Sequence, residues 1–265
     1  MAQALALKPR RPARLIVAGY VAAIVAAEAA VAYWGVVPGA IADAVIVEAL
    51  LLHYARLARP DGAAGGPLAR ALPALALVPL LRLLAVALPA ASIPRLGWYA
   101  LIGVPLLLAT GLAARFLGCS PAALGLRLRF AWWQVFVAAT GLPLGLLAYL
   151  LAPAPPLAAT LDRGTAVAGA LILFVCVGFA EELLFRGVLL PVAEEVFGPA
   201  GLVWASTLFA ATYIGTLSPA FVLYMGVLGL WFGWWVRRTG SLWGVALAHG
   251  LLATGAVLVW PIVLR

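Results

Sequence analysis

The chain has 265 residues, of which 66% are hydrophobic and 10% charged, and its mean hydropathy is +1.13. No water-soluble domain of this length hides so much apolar surface, so the bilayer is read as the solvent. The formal charge of +8 does not point to nucleic acid, because the basic residues are scattered through short loops and form no single soluble face.

In chain order, Lys8, Arg10, Arg11 and Arg14 precede the first apolar stretch. It runs about 20 residues, longer than the roughly 7–15 of a cleavable signal segment, and is expected to stay as a helix. Apolar runs of bilayer length, about 20 residues each, follow one another at 15–35, 38–56, 70–91, 97–115, 130–152, 165–190, 200–216, 220–236 and 241–262. The expected fold is therefore all-α, a polytopic membrane helix bundle of about eight to nine transmembrane helices. Nine is the working count and eight the alternative. Segments such as Asp61–Pro67 and Ala152–Pro156 are connectors rich in Gly or Pro, and no fixed-period repeat occurs.

A cytoplasmic N-terminus puts Lys8, Arg10, Arg11, Arg14, Arg56, Arg59, Arg70, Arg115, Arg127, Arg129, Arg186, Arg237 and Arg238 on the inner side, 13 of the 17 basic residues. Arg95, Arg163 and Arg265 fall outside, and Arg82 lies within a span. This is the asymmetry expected of a multi-pass protein of the cell membrane.

Residues 1–160 form a region of transmembrane helices without a recognisable motif. Within it Glu28, Asp43, Glu48 and His53 share no one helical face and are read as packing or interfacial groups. Arg82 is expected to snorkel or to meet one of those acids. Cys119 and Cys176 cannot make a disulfide framework or a cysteine-based zinc site and are read as small packing residues.

From about residue 165 the polar residues become dense. Glu181 and Glu182 sit inside an apolar span, where an ionisable group costs roughly 2.5–3.5 kcal/mol on insertion scales. Glu182 and Arg186 are four apart with the acid first, the favourable order for an ion pair on a helix, while Glu181 points about 100° away. One carboxylate is thus neutralised and the other left free, in surroundings that suit a general base or acid near neutral pH. His249, in the last span, lies at a similar depth. Glu194 and Glu195 are expected in a solvated acidic turn near Phe197-Gly198. Gly226, Gly229 and Gly233 make a small-residue face for close helix packing.

The segment Ala180-Glu181-Glu182-Leu183-Leu184-Phe185-Arg186-Gly187 resembles the first motif of the CAAX-protease and bacteriocin-processing family (CPBP, or Abi) of intramembrane proteases. Trp204–Tyr213 looks like the second motif and Gly229–His249 like the approach to the third, so the resemblance covers about 100 residues. It implies that 165–265 is an intramembrane protease core, in which Glu181 activates water, His249 binds or protonates the reacting group, and Glu182–Arg186 holds the motif in shape. It also implies a membrane-associated or prenylated peptide or protein as substrate. The chain departs from the pattern at Tyr213, where the family has His, and at Ala253, where it has Asn or a similar polar residue. Tyr213 is expected to donate to an oxyanion; with a reference pKa of about 10 it is no general base at neutral pH.

A catalytic zinc usually has three protein ligands, and only Glu181 and His249 are on offer. Glutamate–histidine water activation without a cofactor is expected, with a divalent metal such as zinc as the alternative. The leading function is an intramembrane endopeptidase. The alternative is a catalytically silent relative that binds or protects a membrane peptide, in keeping with Tyr213 and Ala253. A proton-coupled transporter using Glu181 ranks third, since the paired inverted repeats of many such folds are missing.

Overall fold

The computed structural model describes residues 11–57, 66–88, 92–128, 131–153 and 162–264. Lys8, Arg10, Arg59, Arg129, Arg265 and the connector residues 61–65 and 154–156 lie outside them. A backbone in hydrocarbon must satisfy its polar groups within its own segment, which leaves the helix as the solution for each apolar run. The described residues are accordingly all-α, with no strand among them.

The first four helices are α1 (Arg11–Trp34), α2 (Val36–Leu57), α3 (Gly66–Ala87) and α4 (Arg95–Phe116). The fifth span bends at Thr140 into α5 (Trp132–Ala139) and α6 (Gly141–Leu151). A long helical limb follows: α7 (Arg163–Leu173), a π turn over Phe174–Phe179, α8 (Ala180–Glu182), a second π turn over Leu183–Leu189, and α9 (Leu190–Phe197). After Gly198, at φ +64°, the chain turns back into α10 (Gly201–Ala211). The bundle closes with α11 (Pro219–Thr239), α12 (Trp243–Thr254), a π turn over Gly255–Val259, and α13 (Trp260–Val263).

Eight helical stretches among the described residues are long and apolar enough to cross a membrane. One of them, Gly164–Thr216, has 53 residues and contains the two spans expected at 165–190 and 200–216. It is a hairpin, because α10 packs back against α9 and a Cβ on Gly201 would lie 2.4 Å from the Glu194 nitrogen. The chain is a multi-pass membrane protein. The connector after the sixth span differs from expectation: Glu194 and Glu195 belong to the last turn of α9 and are ion-paired, Glu194 with Arg237 (2.8 Å) and Glu195 with Arg70 (3.3 Å). Arg14 Nε donates to the Val196 carbonyl at 3.0 Å. Three arginines from α1, α3 and α11 thus meet the carboxylates and open carbonyls at one helix end, where cations are favoured.

Gly226, Gly229 and Gly233 do face α10, with added Cβ atoms 3.6, 3.0 and 2.3 Å from Ala210, Ser206 and Leu202. Cys176 packs on Gly103 of α4, and both cysteines are free. Arg82 meets Glu28 as an ion pair, with Nε at 2.8 Å from Oε2, and its Nη2 also donates to the Thr212 carbonyl at 2.8 Å. Asp43 is fully buried, and among the described residues neither of its carboxylate oxygens has a hydrogen-bond partner.

Candidate active site

The two glutamates occupy a three-residue α-helical step between two π turns. A π turn widens the helix and re-aims the side chains that follow, and such turns gather at functional sites. What brings this step against α12 is a crossing of glycines. A Cβ on Gly178 would fall 2.5 Å from the Gly250 nitrogen and 2.6 Å from the Ala246 carbonyl, so only glycine allows the approach.

His249 is thereby laid against both glutamates. Its Nδ1 lies 2.9 Å from Glu182 Oε1, and its Nε2 lies 3.9 Å from Glu181 Oε2. A carboxylate only accepts, so Nδ1 is the donor in that bond and Nε2 is the ring nitrogen turned to Glu181. Glu182 Oε1 also accepts from Arg186 Nη1 at 2.8 Å, and Arg186 and Glu182 are 3% and 0% exposed. Arg186 is sandwiched by aromatics, with its guanidinium carbon 4.1 Å from the centre of the Phe209 ring. Phe209 in turn meets His249 edge-on at 5.7 Å and Tyr213 at 5.4 Å.

All five residues singled out in the sequence, Glu181, Glu182, Arg186, Tyr213 and His249, therefore meet. Two details differ from expectation. Glu182 is not only the partner of Arg186 but also orients His249, a link between residues 67 apart that no local spacing reveals. The Tyr213 hydroxyl, expected to serve an oxyanion, donates to Glu181 Oε2 at 2.9 Å. It does so because α10 stops two residues before Tyr213, which places the ring at the helix end, over Glu181.

Glu181 is the one carboxylate of the pair with access to open space, at 19% exposure. It lies between two chambers. The larger, about 320 Å³, is bordered by His249, Ala253, Tyr213, Met225 and Phe221 and reaches Arg95 and Thr216. The smaller, about 130 Å³, lies towards Arg82, Glu28 and Cys176. Trp98 and Tyr99 border both and carry no signal in the sequence, since they differ from other interfacial aromatics only in where α4 packs.

Residues 163–254 match the family model described as type II CAAX prenyl endopeptidase Rce1-like. The matched stretch contains all five residues of the cluster and agrees with the resemblance carried by the first motif. No curated protein and no solved structure matches the chain. The matched stretch is thus similar to that family and lies within a longer helix bundle. α1 to α6 lie before it, yet α4 and α6 contribute walls to its larger chamber.

The donor set does not fit a zinc centre. Among the described residues no three or more His, Cys, Asp or Glu side chains converge on a common point. Glu182 Oε1 is shared by Arg186 and His249, and its Oε2 is buried with no hydrogen-bond partner among the described residues, so the donors that line the larger chamber are Glu181 and His249, one ligand short of a usual catalytic zinc.

Proposed function

We propose that the chain is an intramembrane endopeptidase of the CAAX-protease type that cleaves a peptide bond in a membrane-associated or lipid-modified substrate. One observation carries this reading: Glu181 and Nε2 of His249 face each other across 3.9 Å at the inner end of a chamber of about 320 Å³. That gap accommodates a water hydrogen-bonded to both. Glu181 takes the proton of that water as its oxygen attacks the carbonyl carbon, and the proton passes to the nitrogen as the C–N bond breaks. Tyr213 holds Glu181 from the other side, and Glu182, kept in place by Arg186, fixes the His249 tautomer. No metal is assigned a step. The partners in this reading are a hydrophobic or prenylated peptide and the lipid bilayer, with no nucleic acid, in a cell membrane with the N-terminus cytoplasmic.

The deciding experiment measures cleavage of prenylated and unprenylated hydrophobic peptides by purified protein in detergent. Wild type turns over and Glu181→Gln, equally well folded, does not. A folded wild type that binds these peptides without cutting them replaces the protease with the silent relative, the reading favoured by Tyr213 and Ala253 standing in place of the family's His and polar residue.

A further inference from the structure

The matched stretch, 163–254, takes in none of the first six helices, yet one of their ion pairs reaches the backbone of the cluster. Arg82 of α3 donates from Nε to Glu28 Oε2 of α1 at 2.8 Å, and its Nη2 is shared between that same oxygen and the Thr212 carbonyl, 2.8 Å away. The Glu28 side chain is 1% exposed and that of Arg82 18%. A guanidinium is a planar fork, so once a buried carboxylate pins one side of it, the carbonyl on the other side is fixed as well.

That carbonyl belongs to the peptide group that carries Tyr213. α10 ends at Ala211, and beyond it the chain makes a single turn at Ile214–Thr216 and then Leu217 at φ +55°. In this irregular stretch the peptide between Thr212 and Tyr213 is held at both ends. The Tyr213 N–H donates to the Ala210 carbonyl at 3.1 Å, and the Thr212 oxygen accepts from Arg82. Both atoms lie in one rigid plane, so their two bonds fix the plane from which the tyrosine departs. The ring then packs edge-on against Phe209 and Phe221, at 5.4 and 5.7 Å, and the hydroxyl donates to Glu181 Oε2 at 2.9 Å. That Oε2 is the oxygen that faces His249 Nε2.

Resting on the endopeptidase reading, we infer that Arg82, held by Glu28, is a positioning residue for the cleavage: it keeps Tyr213 where its hydroxyl turns the Glu181 carboxylate towards His249. Arg82 and Glu181 both border the smaller chamber, but Arg82 is ion-paired with Glu28 and hydrogen-bonds nothing on Glu181, so its influence passes through Tyr213. Helices without a motif are thereby part of the site. A displacement of about 1 Å at a reacting group can cost roughly 100-fold in rate, so an anchor this far from the chemistry has a measurable effect.

The test is a double-mutant cycle on purified full-length protein, using the monodisperse fraction in detergent and the hydrophobic peptides named above. Arg82→Ala alone strands the buried Glu28, so the pair is removed together as Glu28→Gln with Arg82→Met. Arg82→Lys, which keeps the charge beside Glu28 but not the fork, is the second variant and serves where the neutral pair does not fold. Either should lower kcat roughly tenfold with KM within about twofold, and should lower it no further once Tyr213→Phe is present. An unchanged kcat, a loss confined to KM, or the same proportional loss with and without Tyr213→Phe overturns the proposal, the last because general damage to the fold would act in both backgrounds. A second readout needs no cleavage: modification of Glu181 by N,N′-dicyclohexylcarbodiimide, located by mass spectrometry. It should quicken roughly threefold in the Arg82 variants and in Tyr213→Phe alike, with no further gain when they are combined. That pattern in a protein that cuts nothing removes the endopeptidase and leaves the hold of Arg82 on Tyr213 standing. Labelling that neither Arg82 variant moves removes the hold itself.

Discussion

Glu182 Oε1 holds Arg186 and His249 at once, whereas Glu181 accepts a hydrogen bond from Tyr213 and faces open space, which separates the two acids in what their loss should do. Arg186→Ala strands a fully buried carboxylate, the situation that costs about 3–5 kcal/mol when one partner of a buried pair is removed. The yield of folded protein should fall sharply, as read by size exclusion in detergent, whereas Glu181→Gln should keep or raise it. Equal losses from Glu181→Gln and Glu182→Gln would show that the two do not divide the work. Tyr213→Phe removes one hydrogen bond to a charged group, about 1.5–3 kcal/mol, so turnover should drop roughly 10- to 100-fold with KM little changed. The Glu182–Arg186 pair was legible in the sequence because a helix alone brings residues four apart together. The Glu182–His249 bond was not, because it depends on how two distant helices cross.

That crossing is set at the level of the element. Gly178 and Gly250 let the first π turn and α12 touch backbone to backbone, and periodicity gives no warning of either feature: an apolar run reads alike with an α or a π step inside it. Gly178→Ala should therefore cost about 1–3 kcal/mol through overpacking and shift Glu181 away from His249. Both a lowered thermal midpoint in detergent and a larger proportional loss of turnover are expected; a lowered midpoint with turnover intact would mean that the crossing does not set the site. The early helices were legible as spans but their polar residues only in part. Arg82 pairs with an acid as expected, yet its second bond, to the Thr212 carbonyl, ties α3 to the end of α10 next to Tyr213. Asp43 has no hydrogen-bond partner for either oxygen among the described residues. Removing its charge relieves a buried unpaired carboxylate, so Asp43→Asn should leave the thermal midpoint unchanged or raise it. A clear fall would reveal a partner for Asp43.

At the scale of the molecule, the count of spans and the segregation of arginines came from hydropathy and charge, because the bilayer imposes both on any chain that crosses it. What hydropathy does not register is that one crossing is incomplete. α10 has 11 residues, about 16 Å of helix at 1.5 Å per residue, against a hydrocarbon core of about 30 Å. Beyond it come a single turn at Ile214–Thr216 and Leu217 at φ +55° before α11 begins. The bundle is hydrophobically shallow along this flank, and lipid must adapt to it by thinning, at a fraction of a kcal/mol per Å of mismatch. The protein should consequently prefer short acyl chains around α10, so that proteoliposomes of graded lipid length become a dial on its stability.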